Sequence, residues 1–205
     1  MKTIIRLIMF TLALGLMISC AAKPVKTIEN LKAGYNGEST ASAKYAAFAE
    51  KAKADGLDTI AVMFLATSKS EAIHAANHRK VLEKLGEKVE GAQVGAFNVL
   101  STAMNLADAI KGETYETDSM YPEYIATAEK EKCADALKSF GWAVDTEMKH
   151  QAFYRAALEA MNGGGEMSLP AKWFVCPVCG NTYDAGNVTI ACDFCMTLKE
   201  KFIAF

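Results

Sequence analysis

Residues 71–74 read Glu-Ala-Ile-His and residues 147–150 read Glu-Met-Lys-His, two copies of one Glu-x-x-His pattern. On an α-helix, positions three apart lie about 60° apart around the axis, so each pair projects from one face. Those faces are otherwise apolar. Phe64, Ala75 and Leu82 flank the first pair, and Phe140, Val144, Tyr154 and Leu158 flank the second. A charged pair on the core side of a helix costs several kcal/mol unless something neutralises it.

The same anomaly recurs on either side. Glu38 shares a face with Leu31, Tyr35, Tyr45 and Phe48, while Glu113 and Glu116 share one with Leu106, Ile110 and Tyr121. The spacing from Glu38 to Glu71 nearly equals that from Glu113 to Glu147, so the chain reads as two helical hairpins. Each hairpin gives a lone glutamate and then a Glu-x-x-His pair. One glutamate from each of two helices, with Glu-x-x-His from each of the other two, is the di-iron or di-manganese carboxylate arrangement of bundle cores. Five carboxylates converging without metal would repel, and two iron ions balance their charge. The third histidine, His78, lies one turn beyond His74 and reads as an ordinary surface or core residue, with hydrogen bonding to a ligand as the alternative.

Working outward, residues 27–161 are rich in alanine, leucine, lysine and glutamate and nearly free of proline, which is helical grammar. Breaks at Asp55-Gly56, at 86–91 and near Cys133 divide the stretch into helices expected over 28–54, 58–85, 95–132 and 135–161. Pro122 should kink or interrupt the third. The expectation is an all-α, ferritin-like four-helix bundle over 28–161. A glycine-rich linker (162–170) then leads to a small module at 171–205, expected to hold a little β-structure.

That module carries Cys176-Pro-Val-Cys179 and, twelve residues on, Cys192-Asp-Phe-Cys195. Two Cys-x-x-Cys knuckles at this spacing converge four thiolates on one metal, and soft S4 sites select iron or zinc. A disulfide within each knuckle is the alternative, but two such tight rings in one short tail would be unusual. The module is too small to fold on its own core, so a metal is expected to hold it together.

The first nineteen residues read as a signal. Lys2 and Arg6 precede an apolar run from Leu7 to Ile18, which closes on Met-Ile-Ser-Cys at 17–20. A cysteine directly after the small residue resembles the lipobox of bacterial lipoproteins, in which that cysteine, here Cys20, is acylated. The expectation is an exported, membrane-anchored lipoprotein on the periplasmic or cell-surface face, with residues 20–27 as tether. An uncleaved anchor or a plain signal peptide would also export the chain. Removing Lys2 and Arg6 takes the net charge from −2 to −4, so nucleic acid is not an expected partner.

Taken together, residues 28–205 resemble the rubrerythrins, which join a ferritin-like di-iron bundle to a rubredoxin-like FeS4 module. The matching stretches are Asn-Leu with Gly-Glu-Ser (30–39), both Glu-x-x-His pairs, Gly-Glu-Thr-Tyr-Glu with Met-Tyr-Pro (112–122), and the four cysteines. The resemblance implies di-iron ligands at Glu38, Glu71, Glu113, Glu116, Glu147 and His150. It implies that His74 replaces Glu116 when the irons are reduced, and that Tyr45 and Tyr121 stand near them. The implied activity is that of a peroxidase: hydrogen peroxide reduced to water in oxidative-stress defence, with electrons relayed through the FeS4 iron from a donor protein. A homodimer or larger homo-oligomer is implied as well. Iron oxidation in the ferritin manner, and a lipid-tethered redox sensor or electron carrier, are the alternatives. Two departures stand out. The second knuckle reads Cys192-Asp-Phe-Cys195-Met196 where the family usually has Cys-Pro-x-Cys-Gly, and losing that proline and glycine is expected to loosen the turn; an export signal is also unusual in the family.

Overall fold

The computed structural model describes residues 22–163 and 169–205. The lipobox-like segment with Cys20, and 164–168 of the linker, lie outside the described residues. Five α-helices build the bundle: α1 (Val25–Ala54), α2 (Asp58–Lys84), α3 (Thr102–Tyr115), α4 (Tyr121–Lys130) and α5 (Ala134–Asn162). A π-helical turn, Glu116–Met120, joins α3 to α4, so the two act as one long member of a four-helix bundle. The interruption anticipated at Pro122 is therefore this widened turn, with the proline placed in the first turn of α4.

Three helices end alike. Gly56 (φ +76°), Gly86 (φ +83°) and Lys132 (φ +57°) adopt left-handed backbone. Each lets the next residue's N–H reach back into the last turn, from Leu57 to the Ala52 carbonyl, Glu87 to Leu82 and Cys133 to Ala128.

The third helical stretch begins later than the composition of 95–132 suggests. Residues 92–101 run without regular structure, and α3 starts at Thr102 behind Ser101, whose Oγ accepts from the Met104 N–H at 3.4 Å. The reason is side-chain competition from far along the chain. Asn36 Oδ1 accepts from the Gln93 N–H at 3.0 Å, and Thr40 Oγ1 accepts from the Gly95 N–H at 2.9 Å. Backbone donors satisfied by α1 gain nothing by turning helical. The segment is thus the long crossover of a ferritin-like fold.

The bundle interior is split. One apolar cluster gathers Tyr45, Phe48, Phe64, Ile60, Leu106 and Tyr154, and a second gathers Leu31, Leu82, Tyr121, Phe140 and Ala136. Between them lies a buried polar layer containing Glu38, Glu71, His74, Glu113, Glu147 and His150.

The C-terminal module is a three-stranded antiparallel sheet of order β2-β1-β3, made of β1 (Trp173–Val175), β2 (Thr182–Asp184) and β3 (Ile203–Ala204). Phe174 faces Tyr183 on one side and Ala204 on the other. Trp173 is buried edge-on against Phe153 of α5, ring centroids 4.6 Å apart, and Val175 joins the first bundle cluster. The module therefore borrows core from the bundle.

Candidate metal centres

Each of these helices delivers its candidate ligands from the face the periodicity implies. Glu38 comes from α1, Glu71 and His74 from α2, Glu113 from α3, and Glu147 and His150 from α5, all buried. Their donor atoms form two overlapping groups: Glu38, Glu71, His74 and Glu147, and then Glu71, Glu113, Glu147 and His150. Glu71 and Glu147 belong to both, which is what two neighbouring ions sharing bridging carboxylates require.

The close approaches have a particular character. His74 Nδ1 lies 2.7 Å from Glu147 Oε1 and 3.0 Å from Glu71 Oε2, and His150 Nδ1 lies 2.7 Å from Glu147 Oε2 and 3.1 Å from Glu71 Oε1. Despite this proximity, both Glu147 oxygens, Glu71 Oε1 and His150 Nδ1 make no hydrogen bond, and Glu38 Oε2 and Glu113 Oε2 are equally unpartnered. Atoms about 2.1 Å from one ion and at right angles around it stand about 3 Å apart, without pointing at one another. Unpaired buried carboxylate oxygens at such separations fit a pair of metal ions and little else.

The electrostatics agree. Burial first, then repulsion from neighbouring carboxylates, holds Glu38, Glu113 and Glu116 well above the usual carboxylate range. Glu147 goes the other way, to about 2, because His74 and His150 outweigh its burial. The same partnership lifts His74 to about 10 and His150 to about 9 against their own burial. Without metal, then, the two imidazoles serve as counter-ions. Tyr45 donates to Glu113 Oε1 at 2.6 Å and Tyr121 donates to Glu38 Oε1; burial raises both phenols well above their ordinary value, so they remain donors.

Glu116 stands apart. It opens the π-helical turn and joins neither group, although Glu147 and Glu71 perturb it. His74 is in the first group, and Glu116 lies near enough to feel the charges of Glu147, Glu71 and His74. His78, read from sequence as an ordinary core or surface residue, is fully buried and bonded to both Ser139 and Tyr121.

In the tail, Cys176, Cys179, Cys192 and Cys195 converge. Sulfur separations of 3.4 Å for Cys176–Cys195 and Cys179–Cys192 exclude disulfides, whose S–S bond is about 2.05 Å. Hydrogen bonds within the cluster pull Cys192 below the usual thiol range and push Cys179 above it. The two knuckles share one backbone pattern: Gly180 N–H donates to the Cys176 carbonyl and Met196 N–H to that of Cys192, at 3.0 and 2.9 Å. The second turn is thus kept despite the departure from Cys-Gly. Met196 adopts φ +62° to keep it.

The module sits against the bundle's histidines. Thr182 Oγ1 lies 2.9 Å from His150 Nε2, Ser70 Oγ donates to the Gly180 carbonyl at 2.7 Å, and Asn77 Nδ2 to that of Val178 at 2.8 Å. Lys149 Nζ donates to Asn181 Oδ1 at 2.7 Å and lies over the Tyr183 and Phe194 rings. Gly180 packs so closely on His74 that a Cβ there would meet Nε2 at 2.4 Å. An open cleft of about 700 Å³ beside the second knuckle, lined by Lys149, Phe153, Tyr183, Asp193 and Phe194, does not reach the carboxylates.

Comparison with known proteins agrees with this geometry. The Rubrerythrin family model matches residues 29–158. Rubrerythrin-2 of Clostridium acetobutylicum is 34% identical over 188 residues, covering 90% of this chain and 100% of its own length. Nigerythrin of Nitratidesulfovibrio vulgaris is 34% identical over 179 residues, covering 87% of this chain and 86% of its own. A solved structure of fully reduced, all-ferrous nigerythrin superposes with a TM-score of 0.79 over 87% of this chain and 86% of that one. An open-pore ferritin from Archaeoglobus fulgidus, at 20% identity and a TM-score of 0.61 over 69% of this chain and 88% of that one, shares the fold.

Proposed function

Since the chain belongs to the rubrerythrin family and so carries its di-iron site beside a four-cysteine cluster suited to an FeS4 centre, we propose that it reduces hydrogen peroxide to water in oxidative-stress defence. The balance is H2O2 plus two electrons and two protons giving two H2O. A di-ferrous pair in the bundle supplies those two electrons and the coordination positions for a small ligand. The protein's own groups do the rest. Glu71 and Glu147, common to both groups, would be shared by the two ions, and Glu38, Glu113, His74 and His150 would hold them from the remaining sides. Tyr121 and Tyr45, donating to Glu38 and Glu113, fix which oxygen of each carboxylate is free to ligate. Glu116, held outside both groups, is a carboxylate that can exchange with His74 and carry a proton.

One observation carries this reading over iron storage or passive electron carriage: the four-cysteine module is seated on the ligand histidines, with Thr182 on His150 and Gly180 on His74. A storage site has no use for a one-electron centre packed against its ligands, whereas a turnover site needs re-reduction. The donor that feeds the cysteine centre, pairing of two chains, and anchoring through Cys20 are parts of the same proposal. No helix among the described residues is long and apolar enough to cross a membrane.

The test is anaerobic purification with metal analysis, followed by steady-state peroxide consumption with a supplied one-electron donor. About three irons per chain, a visible thiolate-to-iron band and peroxide turnover are expected. Three irons without turnover would refute peroxide reduction, and a colourless tail holding zinc would refute electron relay through it. Cys179→Ser should abolish the visible band and leave the helices folded.

A further inference from the structure

Lys149 of α5 puts its charge in an unexpected place. Asp145 precedes it by one helical turn, the spacing at which an acid and a lysine on a helix surface pair. The ammonium turns to the cysteine module instead. Nζ donates to Asn181 Oδ1 at 2.7 Å and stands 4.5 Å from the centroid of the Tyr183 ring and 4.8 Å from that of Phe194, which lies between Cys192 and Cys195. Lys149 is partly buried there. Asp145 and Asp193 line the same cleft, and neither pairs with the ammonium among the described residues. Taking a cation out of water costs free energy unless a negative group offsets it.

Asn181 carries the contact on to sulfur. It is fully buried, and its Nδ2 donates to the Tyr183 hydroxyl at 2.7 Å and to Cys192 Sγ at 3.8 Å. A side-chain amide can be turned over, which exchanges its acceptor and donor ends. Lys149 is a donor only, so it claims the oxygen and leaves the N–H end for the thiolate. Ammonium, amide and sulfur thus form one chain from α5 to a ligand of the tail. Four thiolates would leave a net charge of −1 around ferric iron and −2 around ferrous. A fixed cation and an N–H aimed at sulfur both favour the more negative state. Seating alone does not ask for this arrangement. Ser70 and Asn77 hold the module through the main-chain carbonyls of Gly180 and Val178 and bring no charge to it.

We infer that Lys149, acting through Asn181, is a positioning residue that raises the reduction potential of the tail's iron, so that the cysteine centre is easiest to reduce while it sits on the bundle. The inference rests on the reading of the tail as the electron relay of the reaction proposed above. One electron enters from an outside one-electron donor; no bond forms or breaks, and no proton is transferred. A tail tuned this way fills from a weaker donor and gives up part of its drive toward the bundle irons. By linkage, whatever factor docking adds to reduction, reduction adds to docking. The filled centre is therefore the one held against His74 and His150.

The test is a spectroelectrochemical titration of the tail's visible band in the full chain, with iron reconstituted anaerobically so that the reading does not depend on turnover. Lys149→Met keeps the stem and loses the charge, and Asn181→Leu keeps the bulk and loses the amide. Each should move the reduction equilibrium toward ferric iron by about tenfold, which is about 59 mV for one electron. Lys149→Arg should stay near wild type, as should Asn77→Ala, which removes a docking bond and no charge. In the double variant the shifts should sum to less than the two taken singly, because the lysine acts in part through the amide. Wild-type potentials in Lys149→Met and Asn181→Leu would overturn the inference. An equal fall in Asn77→Ala would overturn it too, by assigning the effect to seating alone. If Asn181→Leu fails to hold its four-cysteine site, Asn181→Ser takes its place with the same expectation. Expected shifts in a chain that consumes no peroxide would uphold the tuning and refute the peroxide reading. Peroxide consumption with an unshifted Lys149→Met would refute the tuning alone.

Discussion

Substituting Gly180 by alanine should separate the two metal centres while leaving each intact. The new methyl would stand 2.4 Å from His74 Nε2, 2.6 Å from its Cδ2 and 3.1 Å from Ser70 Oγ. Ordinary contact begins near 3.5 Å, so about 1 Å must be found. His74 cannot retreat, because its Nδ1 is already 2.7 Å from Glu147 and 3.0 Å from Glu71. The module must lift instead, giving up the contacts of Ser70, Asn77, Lys149 and His150 with residues 178–182. At about 1 kcal/mol each, these are worth about 4 kcal/mol, or close to three decades of docking equilibrium. The left-handed backbone (φ +88°) adds about 1–2 kcal/mol of its own. Gly86 is the control: its φ is +83° and nothing lies within 4 Å of a Cβ there, so Gly86→Ala pays only the backbone cost. The assay is rapid mixing of fully reduced protein with peroxide, following the reappearance of the tail's visible band. Gly86→Ala should reoxidise at the wild-type rate with somewhat lower stability, while Gly180→Ala should keep its band and lag by an order of magnitude or more. Equal rates in both variants would refute electron transfer across this contact.

His74→Ala is expected to retain two bundle irons when oxidised and to lose peroxide turnover, whereas His150→Ala should lose iron in both states; metal analysis of the two variants checks this. Met196→Gly removes a side chain from a left-handed position (φ +62°) and is expected to stabilise the module by about 0.5–1 kcal/mol after the entropic cost of glycine, read from the temperature at which the visible band is lost. Cys20→Ser should release the protein from membranes, and wild-type protein found soluble with Met1 intact would refute the export reading.

The clustering of Glu38, Glu71, His74, Glu113, Glu147 and His150 was legible because metal chemistry leaves charged residues on apolar helix faces, and a strict i, i+3 spacing repeated in two hairpins is a strong pattern. Helix ends at Gly56 and Gly86 were legible for a related reason, since only glycine enters left-handed backbone cheaply. The start of α3 was not legible. It depends on Asn36 and Thr40 claiming backbone donors of residues 93 and 95, more than fifty positions away. Nor was the seating of the tail, which rests on single bonds from Ser70, Asn77 and Lys149, residues that look like ordinary helix surface. His78 was passed over because its partners, Ser139 and Tyr121, lie on other helices. Met196 shows a different limit. The missing glycine was visible, but the backbone kept its turn and accepted strain rather than loosening.

Charge gives the proposed exchange of Glu116 for His74 a direction. Glu38, Glu71, Glu113 and Glu147 bring four negative charges to the two groups, and His74 and His150 are neutral when they ligate. Two ferrous ions would bring four positive charges, so a ferrous site would be balanced by those four carboxylates alone. Two ferric ions would bring six. The site would then gain by exchanging a neutral imidazole for a carboxylate, and Glu116, already perturbed by Glu147 and Glu71, is the one at hand. Ferric iron, the harder acid, favours the same exchange. A rigid α-helix at this point would hold Glu116 in one register, while the π-helical turn at Glu116–Met120 sets the carboxylate on backbone that departs from the i→i−4 ladder. Restoring an ordinary helix there by deleting one residue of the turn should fix Glu116 in a single position and abolish the redox-linked exchange, while the buried groups on the other three helices still collect metal.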